Sequence, residues 1–219
     1  MEDRAQAFAR DGYLILDGLL TQEELDGLRA ESVRLCRTSP GLIDGAEPLP
    51  PGITDEDVLR RFLCIHFPHK ISAVMAELMA HPAVVPVLRD AVGPDVKAMQ
   101  SMLFIKAEGK PGQAWHQDEY FIPTRDRSLA AIWIAIDDAT VDNGCLWVLP
   151  GSHRPGRGAG RPGAVRWCPS RRTGRSRTPA RRPGHRSSPC APRPRAAATA
   201  AATGHSCSGT RSNAATRAR

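Results

Sequence analysis

The chain of 219 residues lacks the features of several large classes of protein. No stretch approaches the ~18 consecutive apolar residues of a membrane-spanning helix. The opening residues, MEDRAQAFARDGYLIL, lack the basic-then-apolar order of a secretory signal. The six cysteines show no C-x-x-C spacing, which argues against a zinc ribbon or a redox pair. These absences predict a cytoplasmic protein that has no membrane partner.

Residues 154–219 lack Lys, Asp, Glu, Ile, Leu, Met, Phe and Tyr altogether, but they contain 16 Arg. The preceding residues carry 14 basic and 23 acidic side chains, so the two parts have opposite net charge. A segment with so few apolar side chains cannot bury enough surface to offset the entropy lost on ordering. We therefore predict a folded domain over 1–153 and a disordered Arg/Pro/Ala-rich tail over 154–219.

The order of patterns in the first 153 residues predicts an α+β protein. Helices are expected at the N-terminus, after the Thr21–Glu24 capping box, over 70–79 and over 84–91. Strands are expected over 13–16, 99–106, 114–121, 129–136 and 145–149, the last two joined by an Asp142-Asn143-Gly144 hairpin turn. Helices followed by antiparallel strands are typical of a protein with a β-sandwich or jelly-roll core.

The residues most suited to chemistry are in the sequence Trp115-His116-Gln117-Asp118. On a strand, residues two apart point to the same face, so His116 and Asp118 could bind one ion. One imidazole and one carboxylate are two of the three ligands in the facial triad of non-haem Fe(II) oxygenases. A plain hydrogen-bonded pair is the alternative interpretation.

The stretch QSMLFIKAEGKPGQAWHQDEYFIPTRDRSLAAIWIAIDDATVDNGCLWVLPGSH, residues 100–153, resembles the phytanoyl-CoA dioxygenase family. The HQD unit, the WIA strand, the DNGC turn and the closing PGSH occur in the family's order and spacing, and DGYLILDGLL resembles its opening. The resemblance implies a double-stranded β-helix core and an enzyme that uses Fe(II), 2-oxoglutarate and O₂ to hydroxylate a small-molecule substrate.

By the same resemblance, His116 and Asp118 would be catalytic iron ligands, and Lys70, Met102 and Trp133 would surround 2-oxoglutarate. The alternatives are a solvated helix position for Lys70 and ordinary core positions for Met102 and Trp133. His153, in PGSH, is expected to fix its turn and not to bind metal.

The resemblance implies a second His and a following Arg on later strands, but the tail shows no strand-like sequence around His185 or His205. The tail is either a genuine Arg-rich extension, able to bind nucleic acid non-specifically, or an out-of-frame translation of the back half, which we favour. Either way the β-helix core would be incomplete and the chain inactive or nearly so. The other functions considered are a catalytically dead binding protein and an Arg-rich nucleic-acid binder.

Overall fold

The computed structural model describes residues 3–39, 47–125 and 128–154 in full, and the backbone alone of 165–167, 188–189 and 197–202. Most of the helices come first and most of the strands follow. In chain order the elements are α1 Arg4–Asp11, β1 Tyr13–Asp17, α2 Gln22–Thr38, α3 Asp55–Arg60, β2 Cys64–His66, a 3₁₀ helix Pro68–Lys70, α4 Ala73–Met79, α5 Val84–Val92, β3 Met102–Phe104, α6 Asp118–Phe121, β4 Ala130–Ile134, β5 Leu146–Val148, β6 Val165–Trp167, β7 Ser188–Pro189 and β8 Ala197–Ala202. In the part so described, no helix combines the length and the apolarity needed to cross a bilayer.

Local sequence signals set both ends of α1 and the start of α2. The Asp3 side chain accepts a hydrogen bond from the Ala5 amide at the start of α1, and the helix ends at Gly12, whose φ of 79° is left-handed. At α2, the Thr21 hydroxyl accepts from the Glu24 amide at 3.2 Å, and the Glu24 carboxylate accepts from the Thr21 amide at 2.6 Å. The predicted capping box is therefore confirmed.

The strands form three small antiparallel sheets, with the orders β1-β8-β4, β2-β3 and β6-β5-β7. In the first sheet Leu16 and Ile134 both lie opposite Ala198 of β8, which pairs with β1 on one side and β4 on the other. In the second, Ile65 pairs with Leu103. The described strands do not close into a barrel.

The two faces of the strands contact different groups of side chains. Leu103 and Ile105 point toward the main core, which is formed with the helices by Leu20, Leu25, Leu28, Leu35, Cys36, Val58, Phe62, Ile65 and Met75. On the other face, Phe104 packs with Tyr13 and Trp133 against the buried Leu146 and Val148 of β5. We call this second group the inner cluster. Because side chains alternate along a strand, the sheets separate a helix layer from the inner cluster.

The predicted α+β order is confirmed, but several elements differ from the prediction. The helix expected over 70–79 begins only at Ala73, because the Ser72 hydroxyl caps it, and Lys70 lies in a separate 3₁₀ turn. The short elements α3 and β2 were not predicted. Of the loop expected over 37–54, residues 40–46 lie outside the described part of the chain.

The hairpin predicted at Asp142–Gly144 is wrong. The strands on either side of it belong to different sheets, since β4 pairs with β8 whereas β5 pairs with β6 and β7. The Asn143 side chain instead closes a local loop by accepting from the Thr140 amide and donating to the Asp138 carbonyl. An asparagine-glycine pair thus makes a tight turn here without making a two-strand ribbon.

The tail contributes backbone to two of the sheets. Strand β8 lies between β1 and β4, and β6 and β7 flank β5. The disorder predicted for the tail is therefore wrong at these three places, where the structure has strands. The remainder of the tail, with His185 and His205, lies outside the described residues, and its predicted disorder stays a prediction.

Candidate metal centre

His116 and Asp118 face each other across a short gap. The His116 Nε2 atom lies 3.3 Å from Asp118 Oδ1, with 18% of the histidine side chain and 40% of the aspartate side chain exposed. The other ring nitrogen, Nδ1, lies 2.8 Å from the Ala114 carbonyl oxygen. A carbonyl only accepts, so Nδ1 carries a proton, and Nε2 is the ring nitrogen that faces Asp118.

The strand predicted over 114–121 is wrong, although the two side chains do converge. Asp118 is the first residue of the one-turn helix α6, and Gln117 precedes it in an extended conformation. His116 forms an isolated β-bridge and is not part of a longer strand. The convergence therefore comes from an extended residue that leads into a helical turn.

The geometry of this pair fits two ligands of one metal ion. Neighbouring ligands of an octahedral ion with bonds of about 2.1 Å lie roughly 3 Å apart, close to the spacing seen here. A ligating histidine ordinarily donates its second N–H to a carbonyl or carboxylate, as His116 does to Ala114. Within the described residues, no group of three His, Cys, Asp or Glu side chains could share an ion. The described part of the chain thus brings together two of the three side chains that the sequence analysis expects around an ion.

Gln117, which lies between His116 and Asp118, connects this pair to the PGSH turn. The Gln117 side-chain amide donates to the Ser152 carbonyl at 2.9 Å. The Gly151 amide donates to the Asp11 carbonyl at 2.8 Å, and the His153 Nε2 lies 3.1 Å from the Ala9 carbonyl. His153 therefore fixes its turn to the end of α1, as the sequence predicted. The His116–Asp118 pair is connected through these contacts to the N-terminal helix.

A second support for the pair is Glu119, a residue that the sequence analysis did not select. Its Oε1 accepts from the amide and the hydroxyl of Thr124, at 2.5 and 2.7 Å, and its Oε2 accepts from the Leu129 amide at 3.1 Å. This carboxylate thus holds Thr124 and Leu129, which lie between α6 and β4, to the start of α6. A charged residue directly after the HQD unit is the only sequence signal that could have suggested it.

The ring of Phe121 meets the ring of His116 edge to face, with centroids 5.8 Å apart. Tyr120 stacks similarly on Phe121 at 5.2 Å, and these aromatic side chains remain 82% and 67% exposed, respectively. Exposed aromatic rings beside a candidate ligand could contact an organic substrate. The sequence analysis did not single out either residue.

Met102 and Trp133 lie on the same face of the structure, because side chains alternate between the two faces of a strand. Met102 lies two residues before Phe104 on β3 and so shares its face, while Trp133 itself packs in the inner cluster. Both side chains are partly buried. The structure thus directs these two candidates to the side away from the helices, and their role around 2-oxoglutarate stays a prediction.

Lys70 is exposed, and its ammonium lies 4.7 Å from the centre of the Phe67 ring. The 3₁₀ turn that carries it is bonded to Ser101, the residue before Met102, through the Phe67 amide at 2.9 Å. The helix position predicted for Lys70 is therefore wrong, but the turn lies next to the start of β3. Its role toward 2-oxoglutarate also stays a prediction.

The comparisons with known proteins agree with the resemblance noted from the sequence. The sequence model of the phytanoyl-CoA dioxygenase (PhyH) family matches residues 8–183. The chain belongs to this family of 2-oxoglutarate-dependent dioxygenases.

Individual relatives are more distant. The chain is 28% identical over 190 residues to a phytanoyl-CoA dioxygenase domain-containing protein 1 of Danio rerio, covering 69% of this chain and 65% of that protein. It is 31% identical over 157 residues to an ectoine dioxygenase of Nocardia farcinica, covering 69% and 51%. The chain thus spans half to two thirds of the length of these relatives.

Solved structures show the same fold. EctD from S. alaskensis, crystallised with 2-oxoglutarate and 5-hydroxyectoine, superposes with a TM-score of 0.60 at 21% identity, covering 93% of this chain and 68% of that one. A second EctD structure, with bound Fe, gives a TM-score of 0.55 at 23% identity and covers 92% and 76%. At such identities the likeness concerns the jelly-roll fold and not the substrate.

Proposed function

We propose that this chain derives from an Fe(II)- and 2-oxoglutarate-dependent oxygenase that hydroxylates a small organic or acyl substrate. The observation that supports it most is the convergence of His116 and Asp118 at 3.3 Å, in a chain of the PhyH family. Relatives named as ectoine and phytanoyl-CoA dioxygenases support a hydroxylase, and their different names leave the substrate open.

Each residue has a definite task in this proposal. His116 and Asp118 hold two positions on the ion, and the Ala114 carbonyl fixes the histidine tautomer. Met102 and Trp133 line the inner side and exclude water, and Lys70 receives a carboxylate of 2-oxoglutarate. When bound, iron supplies the one-electron chemistry that couples 2-oxoglutarate oxidation to O₂ activation.

We propose further that this chain, with its present amino-acid sequence, turns over little or no substrate. Two protein ligands bind an ion more weakly than three, and the described residues offer only these two together. The expected second His and the following Arg fall in the tail, where we propose that residues 154–219 are read out of frame. A catalytically dead binding protein with the same fold remains the second candidate, favoured by the same two-ligand geometry.

Two measurements on the purified chain test the proposal. Mn(II) binding, followed by electron paramagnetic resonance, should weaken strongly in His116→Ala and Asp118→Asn. It should be unchanged in the matched controls His66→Ala and Glu77→Gln, which alter exposed residues elsewhere. Equal Mn(II) binding by all four variants and the unsubstituted chain would refute the metal site.

Succinate formation from 2-oxoglutarate should be nearly absent for the chain as written, and ordinary enzyme rates would refute the proposed inactivity. Sequencing the coding DNA across codons 145–219 then tests the proposed frame. A shifted frame that encodes apolar strands, a His and a following Arg would support a frameshift. The corrected chain should then form succinate, whereas its failure to do so would favour the dead binding protein.

A further inference from the structure

The turn that carries Lys70 begins with an unusual backbone conformation. Phe67 has φ 54° and ψ 44°, which makes it the one non-glycine residue with positive φ in the described part of the chain. This left-handed region is ordinarily left to glycine or asparagine, because a Cβ crowds the following carbonyl. Non-glycine residues held there occur preferentially at functional sites.

Two sets of hydrogen bonds maintain this conformation. The Phe67 amide donates to the Ser101 carbonyl at 2.9 Å, and the Phe67 carbonyl accepts from the Lys70 amide at 2.9 Å. The His69 Nδ1 atom lies 2.7 Å from the Ser101 hydroxyl. The turn is thereby fixed to Ser101, the residue that precedes Met102, at both Phe67 and His69.

Burial does not explain why a phenylalanine occupies this position. Its side chain is 39% exposed and belongs to none of the core clusters of the described residues. Its ring instead faces the Lys70 ammonium at 4.7 Å, within the ~6 Å reach of a cation–π contact. The His66 and His69 rings lie farther away, with centroids at 6.3 and 6.1 Å.

We propose that Phe67 is a positioning residue, whose ring holds the Lys70 ammonium in place to receive a carboxylate of 2-oxoglutarate. This inference rests on the proposed function, because it takes Lys70 as a co-substrate contact. A free lysine side chain samples many rotamers, and fixing it before the ligand arrives lowers the entropy lost on binding. The strained backbone at Phe67 sets the ring beneath the ammonium.

The test measures 2-oxoglutarate binding by calorimetry, using the full chain with Mn(II) in place of iron. Phe67→Leu should weaken binding about two- to fivefold, the size expected for an exposed cation–π contact. Phe67→Tyr and Phe67→Trp should bind as the unsubstituted chain does. Leu, Tyr and Trp all meet the same left-handed backbone, so a difference among them reports on the ring and not on the turn.

A double-mutant cycle separates positioning from a general structural effect. Lys70→Met should weaken binding further, and Phe67→Leu should add nothing once Lys70 is Met. Full additivity, or normal binding by Phe67→Leu, would overturn the inference while leaving the proposed function intact. Normal binding by Lys70→Met would overturn the inference together with the role that the proposed function gives to Lys70. No binding of 2-oxoglutarate by the unsubstituted chain would refute the role given to Lys70 in the proposed function, and this inference with it.

A second measurement needs no ligand and serves if Phe67→Leu does not fold. The chain has four lysines, so ¹³C-dimethylation of their amines gives a simple NMR spectrum in which Lys70→Arg identifies one signal. That signal should be shifted upfield by the ring current of Phe67, and the shift should persist in Phe67→Tyr. A Lys70 signal that coincides with those of the other lysines would overturn the inference.

Discussion

The imidazole of His153 lies directly against the backbone of Gly12. A Cβ atom placed on Gly12 would overlap the ring, at 2.6 Å from His153 Cγ, and the glycine has a φ of 79°. The carbonyl of Ala9, in the last turn of α1, lies 3.1 Å both from His153 Nε2 and from an Arg154 guanidinium nitrogen. The PGSH turn thus binds the C-terminal end of α1, where helix carbonyls lack partners within the helix.

We expect Gly12→Ala to destabilise the fold through two effects. The left-handed conformation costs about 1–2 kcal/mol for a residue with a Cβ, and overlap with the histidine ring adds about 1–3 kcal/mol. Gly18→Ala is the matched control, since Gly18 has a φ of 66° and a Cβ placed on it would meet nothing within 4 Å. Urea unfolding measures both free energies.

The larger loss of unfolding free energy in Gly12→Ala should become smaller when His153 is also replaced by alanine, because the overlap with the ring then disappears. Equal losses in Gly12→Ala and Gly18→Ala would contradict the close approach of His153.

Replacement of Glu119 should loosen the segment between α6 and β4. Glu119→Ala removes the acceptor for the Thr124 and Leu129 amides, so we expect unfolding free energy to fall by about 1–3 kcal/mol. Glu119→Gln retains one acceptor oxygen and should lose less. Glu77→Ala, at an exposed position on α4, is the control, and hydrogen exchange at Leu129 locates the effect. Unchanged exchange there would rule out this role of the carboxylate.

Gln117→Leu should weaken metal binding without removing a ligand. The change removes the hydrogen bond to the Ser152 carbonyl, which connects the HQD unit to the PGSH turn. Loss of such a supporting contact ordinarily reduces metal affinity by about tenfold or more. Mn(II) titration is the measurement, and Gln113→Leu, an exposed position on the same loop, is the control. An affinity equal to that of the control would show that Gln117 does not support the pair.

Glu24 should make the stability of α2 depend on pH in the acidic range. The Thr21 amide and then the His81 side chain donate to its carboxylate, and they lower its pKa from 4.5 to about 2. A pKa below that of the unfolded chain means that the contribution is full above pH 4.5 and is lost as the pH falls toward 2. The side chain is 41% exposed, so solvent screening keeps the effect small.

The unfolding free energies of the unsubstituted chain and Glu24→Gln should therefore differ at pH 7 and converge as the pH approaches 2. Glu23→Gln, at the neighbouring exposed position, controls for the loss of one negative charge. A difference that is independent of pH would show that the carboxylate charge is not what matters.

Short-range sequence signals made the start of α2 and the His116–Asp118 pair predictable. The Thr21–Glu24 capping box acts within a few residues and lies where the sequence places it. His116 and Asp118 were found because their residue types suit a metal, although the strand proposed to align them is replaced by the start of α6. The segment around His116 and Asp118 has no strong periodicity of apolar residues, so its backbone conformation could not be predicted from the pattern.

The sequence by itself determined the family, the α+β order and the identity of two metal-suited side chains, because residue type and short-range spacing carry those properties. Tertiary structure alone decided that β4 and β5 lie in different sheets and that Gln117 reaches Ser152. It also placed the His153 ring against the backbone of Gly12 and joined the turn at Phe67 to Ser101 by a hydrogen bond. These contacts join residues more than 30 positions apart, and such partners are selected by the packing of the whole chain and not by any local preference.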